Sequence, residues 1–251
     1  MITKLLAKVL SFALVAALCL TPASADFGQN YQINNIPNLN AVRLFRNNCQ
    51  TDAAGTNGFV FNNFSPVNSE PDNNFQYWII VGVIGEDTTT AFTVSSVTID
   101  GVTGVSMVDQ GATTVNADAA IWRSATPVSD ANDIDLVVTF SEAVTGATAC
   151  VWALDNVNSI TPLATVTDEE TASNALVLTL GTTSAEGVVL GVSGTPAIGG
   201  SSSWAVWTRQ AENCNSEFCY AYGDANGTGG SMANTVDWST TGGVGAGVSI
   251  R

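Results

Sequence analysis

The chain contains no histidine among its 251 residues. That absence removes the commonest general base and nitrogen ligand, and with them Ser-His-Asp, Cys-His and His-ligated zinc chemistry. Lysine is almost as scarce: Lys4 and Lys8 precede the first apolar run and none follows. Charged residues make up only 12% of the chain, and they are lopsided, 22 acidic against 7 basic. Nucleic acid and anionic membrane are disfavoured as partners, because like charge repels them and no basic cluster compensates. After residue 25 no stretch approaches the roughly 20 unbroken apolar residues of a membrane-spanning helix, so insertion into a membrane is not expected.

What is present begins with a targeting pattern. Lys4 and Lys8 are followed by an apolar run from Val9 to Leu20 and then by Thr-Pro-Ala-Ser-Ala ending at Ala25. This reads as a secretory signal peptide over 1–25, removed to leave Asp26 first, and it places the protein outside the cell or at the cell surface. Cys19 lies inside the apolar run, ahead of the cut, so lipid attachment is not expected. Without Lys4 and Lys8, five basic residues face 22 acidic ones, a net charge of −17 that favours solubility in a saline or extracellular setting.

Four cysteines follow the cut, and an even count in an exported chain suggests disulfides. Three pairings are open. The segment Cys-Asn-Ser-Glu-Phe-Cys closes a small loop and favours Cys214 with Cys219, leaving Cys49 with Cys150. The alternative for Cys150, between Ala149 and Val151, is a small buried core residue.

Residues 26–40 are Asn-rich and hold Pro37, which reads as an extended arm or linker. From 41 to 251 short apolar runs alternate with Gly, Ser, Asn and Asp, with no helical period. The expectation is a single all-β domain, an antiparallel β-sandwich of jelly-roll or immunoglobulin-like type. Its centre is Ala120 to Leu154, three strand-length segments cut by polar separators. Ahead of them, Phe75 to Ile84 ends apolar on both faces, as a strand covered on both sides does. Asp100-Gly101, between Phe92–Ile99 and Val102–Val108, has the chemistry of a tight hairpin turn. Trp204–Gln210 and Phe218–Tyr222 read as later strands.

Candidate chemistry is sparse. Asp224, Asn226 and Thr228 alternate as in the start of an EF-hand loop, with Gly229 sixth, and calcium is the one cofactor they suggest. The twelfth position is Thr235 and not Glu, so a Gly-rich turn competes with that reading. Asp168-Glu169-Glu170, Glu86-Asp87 and the Asp130, Asp133, Asp135 group read as solvated turns or calcium loops. No carboxylate pair stands out for glycoside hydrolysis, and no enzyme activity is expected. The aromatic residues favour a glycan partner instead. On a strand, Phe218, Tyr220 and Tyr222 share one face, while Trp204 and Trp207 fall on opposite faces, so that one looks outward. Exposed rings stack on sugars while Arg209 bonds hydroxyls; packing of the same rings into the core is the competing reading.

In order along the chain, Tyr77-Trp-Ile-Ile-Val-Gly-Val83, Val94-Ser-Ser-Val-Thr-Ile-Asp-Gly101, Ala119-Ala-Ile-Trp122 and Asp135-Leu-Val-Val-Thr-Phe-Ser141 continue into Ala149-Cys-Val-Trp-Ala-Leu154, Gly187-Val-Val-Leu-Gly-Val192 and Trp204-Ala-Val-Trp207. This succession resembles a β-sandwich domain of phage tail-fibre and other virion-associated or prophage-derived proteins. The resemblance implies a structural or receptor-facing module with no catalytic residues. The leader departs from that pattern, since virion proteins assembled in the cytoplasm carry no cleavable export signal. The expected function is an exported structural or adhesive surface protein, acting through homo-oligomer, particle or surface assembly; a carbohydrate-binding module is the alternative.

Overall fold

Strands covered on both faces and strands covered on one read differently in sequence, and the fold separates the two kinds by layer. The computed structural model describes residues 31–32, 41–46, 49–67, 76–87, 89–111, 113–196, 201–214 and 218–251. The expected leader (1–25), most of the expected arm and the tip of the Cys214–Cys219 loop lie outside the described residues. No helix occurs among the described residues. The first half supplies β1 (Tyr31–Gln32), β2 (Arg43–Arg46), β3 (Gln50–Asp52), β4 (Thr56–Phe64), β5 (Trp78–Glu86), β6 (Val94–Ile99), β7 (Val102–Thr103), β8 (Val105–Asp109), β9 (Ala117–Arg123), β10 (Ile134–Val144) and β11 (Gly146–Asp155). The second half supplies β12 (Ala164–Glu170), β13 (Ala175–Leu180), β14 (Val188–Thr195), β15 (Ser202–Trp204), β16 (Thr208–Cys214), β17 (Cys219–Asn226), β18 (Met232–Trp238) and β19 (Gly243–Ile250).

These strands form four antiparallel sheets. In the first half, an outer sheet ordered β4-β10-β6-β7 covers an inner sheet ordered β1-β2-β11-β5-β9-β8, with β3 also on β11. In the second half, an inner sheet ordered β12-β19-β14-β17-β16 is covered by an outer sheet ordered β13-β18-β15. The two inner sheets lie against each other, so the molecule is a stack of two sandwiches with three apolar layers between four sheets.

Side-chain alternation shows how the stack is filled. In β11, Ala147, Ala149, Val151 and Ala153 face the first outer sheet, while Cys150, Trp152 and Leu154 face the central layer. In β19, Val244, Ala246, Val248 and Ile250 face the same central layer from the other side. Strands β5, β11, β14 and β19 are therefore buried along almost their whole length. The outer strands β10, β13 and β18 alternate between buried and solvent-facing positions, as one-sided strands must. Each fully buried Val, Leu, Ile or Phe contributes about 1.5–3 kcal/mol against exposure.

The back of the second inner sheet is lined by glycine, and bulky rings occupy the space. A Cβ on Gly191 would come within 2.4 Å of the Trp207 ring, and one on Gly247 within 2.8 Å. A Cβ on Gly245 would meet Leu176 at 2.5 Å. On β5, a Cβ on Gly82 would meet Val192 at 2.3 Å across the central layer. The two sandwiches approach closely there because no side chain intervenes.

The expected hairpin is present: Ile99 pairs with Val102, and Asp100 and Gly101 both take positive φ, 49° and 75°. The return strand is not continuous. It leaves the outer sheet after Thr103, crosses at Gly104, and joins the inner sheet as β8 beside β9. A Cβ on Gly104 would sit 3.0 Å from the carbonyls of Val97 and Arg123, so the crossover leaves little room for a side chain. Both favoured disulfides are formed, Cys49–Cys150 and Cys214–Cys219. The second joins residues directly opposite in the β16–β17 ladder. On chain-entropy grounds the first, spanning 101 residues, stabilises by about 4–5 kcal/mol and the second by about 2 kcal/mol.

Gly191→Ala is expected to destabilise the fold by about 1–3 kcal/mol through overpacking against Trp207. Gly58→Ala, where a Cβ meets nothing within 4 Å, is expected to stay within about 1 kcal/mol of wild type. Denaturant unfolding of the two variants side by side checks the contrast.

Candidate functional site

The aromatic cluster proposed for sugar contact is assembled, but it faces inward. Tyr220 and Tyr222 are 4% and 3% exposed and pack in the central layer, where Tyr222 meets Trp152 edge-on at 5.6 Å. Trp207 is 1% exposed and lies between the second inner sheet and its outer cover. The stacking platform expected of these rings is therefore corrected to core. The expectation that Trp204 and Trp207 lie on opposite faces also fails, because the segment is not one strand. β15 ends at Trp204 and β16 begins at Thr208. In the intervening turn the Asn234 side-chain carbonyl accepts from the N–H groups of Val206 (2.9 Å) and Trp207 (3.0 Å). Both indoles then fold onto the same layer with centroids 6.0 Å apart, the Trp204 ring covering Gly223. Arg209 donates to the Ser202 carbonyl and to Glu212, which bridges it at 2.7 Å.

The EF-hand-like stretch is likewise not a calcium loop. Asp224 and Asn226 lie on β17, and Thr228 lies in the following turn, its N–H donating to Thr183 Oγ1 at 3.0 Å. Asp224 is buried and already holds a cation: Arg46 donates to it bidentately, Nε at 2.6 Å and Nη2 at 2.5 Å, and Gln210 donates at 3.2 Å. Burial pushes the Asp224 carboxyl up from its ordinary value, while the hydrogen bonds and charge of Arg46 pull it down. This pair joins β2 of one inner sheet to β17 of the other. A second pair, Arg43 with Asp155, lies within the first inner sheet, where burial again raises the carboxyl against the pull of Arg43. The acidic run Asp168-Glu169-Glu170 belongs to an edge strand, β12, that sequence patterning did not anticipate. Glu169 accepts from the N–H of Thr114 (2.7 Å), the hydroxyl of Thr114 (2.6 Å) and the N–H of Val115 (3.1 Å), tying the two halves together. Among the described residues, no group of three or more Asp, Glu, Cys or His converges as metal ligands do.

The strongest chemical perturbation falls on residues that sequence reasoning did not single out. Asp118, on β9, is 0% exposed. Its Oδ2 accepts from the Val94 N–H at 2.8 Å, while its buried Oδ1 accepts no hydrogen bond. Asp109, on the neighbouring edge strand β8, pairs with Ala120, two residues along β9 on the same face, and its carboxylate reaches Asp118. Burial first, and the Asp109 charge second, push the Asp118 carboxyl up to about 8. At neutral pH Asp118 therefore keeps its proton. The one sequence signal was an Asp at an inward position of a strand otherwise reading Ala-x-Ala-Ala-Ile-Trp. No protein-family model matches the chain, and no curated protein matches it.

Two measurements follow from this geometry. Arg46→Ala leaves Asp224 buried without its cation and is expected to cost about 3–5 kcal/mol in denaturant unfolding, whereas Arg46→Met combined with Asp224→Leu recovers most of that loss. Asp118 has a folded-state value of about 8 against an ordinary 3.8, so the stability it contributes is complete below about pH 4 and is lost as pH rises through 8. Asp118→Asn, which keeps the acceptor for Val94 and supplies a donor to Asp109, is expected to remove that limb from a plot of Tm against pH.

Proposed function

We propose that this protein is an exported structural module that works by contact and self-assembly, without a catalytic site, outside the cell or on its surface. The observation that carries the reading is what the stack turns outward. Chemically versatile side chains, including Trp152, Trp207, Tyr220, Tyr222 and Asp224, are consumed in packing or pairing. The first outer sheet presents Val60 (57% exposed) directly opposite Val137 (39% exposed), with Thr98 and Thr139 on the neighbouring positions. The second presents Val177 opposite Thr235 and Thr179 opposite Ala233. Such β faces, with Asp135 and Asp237 as the acidic residues in line with these positions, suit contact with a surface or another copy. Two disulfides fit an oxidising compartment, in keeping with the export pattern in the sequence. The burial of Trp207, Tyr220 and Tyr222 takes support from the glycan alternative.

The arm supplies a mechanism. Tyr31–Gln32 adds a strand to β2, pairing Tyr31 with Phe45 and Gln32 with Leu44. The same pairing made between copies joins them by strand addition, the mode in which main-chain hydrogen bonds supply affinity. Light scattering of the protein lacking the leader is expected to show a defined oligomer, and deletion of 26–40 to shift it toward monomer. A monomer in both forms rules out arm-mediated assembly.

A further inference from the structure

We propose that the β4 edge of the first outer sheet is a joint between two copies of this chain, which pair β4 with β4 antiparallel about a twofold axis at Val60. The inference rests on the reading that the protein self-assembles, and it names a contact separate from the arm. Edge strands carry unpaired N–H and C=O groups, and proteins protect them with charge, coverage or shortness. The other edges of this stack are protected in those ways. β12 carries Asp168, Glu169 and Glu170, β16 carries Arg209 and Glu212, and β8 ends in Asp109. On β13 the Val177 N–H is taken by Asp168 at 2.7 Å, and on β15 the Ser202 N–H is taken by Glu212. β1, β3 and β7 are no longer than three residues. β4, Thr-Asn-Gly-Phe-Val-Phe-Asn-Asn-Phe, is the longest edge strand among the described residues and holds neither a charged residue nor a proline.

In an antiparallel ladder the N–H and C=O of one residue point to the same side, and successive residues alternate. On β10 the Asp135 carbonyl takes the Asp100 N–H at 2.8 Å, so Asp135 and Val137 turn to β6 while Leu136 and Val138 turn to β4. Their partners Phe61 and Phe59 point back at β10, which leaves the main-chain groups of Gly58, Val60 and Asn62 pointing away from the sheet. Two contacts agree with this: the Asn62 carbonyl accepts from the Gln50 side chain at 2.8 Å, and the Gly58 N–H reaches the Thr56 hydroxyl at 3.4 Å. Val60 is the middle one of the three. Set opposite Val60 of a second copy, it exchanges both main-chain hydrogen bonds, and Gly58 falls opposite Asn62 on either side of the axis. Inward, Phe59 of one copy then lies beside Phe61 of the other, as the two rings already stack within a copy at 6.4 Å. Outward, the exposed Val60 and its neighbour Val137 meet the same pair of the second copy in one apolar row. Charge selects the same edge. After residue 25 each copy carries 22 acidic and five basic residues, so copies repel wherever acids meet, and an uncharged strand is where they approach with the least repulsion. Asp135, in line with Val137, turns its carboxylate to the Asn63 N–H at 3.1 Å.

The test is sedimentation equilibrium of the protein lacking both the leader and residues 26–40. Because this pairing does not use the arm, that protein is expected to remain a dimer at about 100 µM, the range of a small interface, and to associate more tightly as added salt screens the acidic surfaces. Val60→Lys changes a solvent-facing position and leaves Phe59 and Phe61 in the core, so the unfolding midpoint is expected to hold. It places like charges at the axis and is expected to weaken association at least about tenfold. Val60→Asp is expected to do the same, and an equimolar mixture of the two variants to restore the dimer, since opposite charges then face each other across the axis. Val177→Lys, on the other outer sheet, is expected to leave association unchanged. A dimer indifferent to Val60→Lys overturns the proposal. So does a monomer at that concentration; if the protein with its arm is an oligomer in the same buffer, the self-assembly reading stands and the contact belongs to the arm alone.

Discussion

Both faces of the central strands of the two inner sheets are dry, and most other features of the molecule answer to that constraint. A strand with water on neither side carries apolar or small residues along most of its length, and β5, β11, β14 and β19 do so, with Glu86 and Asp155 at the ends of β5 and β11. The available volume then limits size. Where Trp207 and the Leu176–Leu178 pair lie against the second inner sheet, that sheet is reduced to glycine at Gly191, Gly245 and Gly247. Where the sandwiches meet, Gly82 accepts Val192. Close packing between sheets comes from pairing one large side chain with one absent side chain, the interdigitation that native packing density demands.

The same dryness governs the charges. A buried ion is tolerated only when paired and hydrogen-bonded, and Asp224 meets this condition through the two bonds from Arg46. The pair crosses from one inner sheet to the other, so it constrains how the sandwiches are set against each other as well as stabilising either residue. Glu169 makes a related link at the opposite edge, using neutral donors from Thr114 and Val115. Asp118 departs from the rule: it is buried with a like charge beside it, which is why it holds its proton far above the ordinary range.

The proposed contact through the outer faces suits this architecture. The outer sheets are covered on one side only, so half of each strand is available to a partner while the buried half holds the layer in place.

The alternation of short apolar runs with turn residues was enough to establish an antiparallel all-β chain. The Asp100-Gly101 hairpin was legible because only certain residues adopt two successive positive φ angles. Both disulfides were legible from compartment and spacing. A two-residue period says which side chains share a face, and Phe218, Tyr220 and Tyr222 do share one. It does not say whether water or another sheet lies over that face, and here a second sandwich does. Trp204 and Trp207 were misplaced because a side chain 27 residues from Trp207, Asn234, breaks the strand between them. The meeting of Asp109 with Asp118 depends on the crossover at Gly104, which carries β8 out of its hairpin and beside β9. Local propensity determined the strands and their turns, and long-range packing alone decided which faces are dry, because coverage is a property of the neighbours and not of the strand.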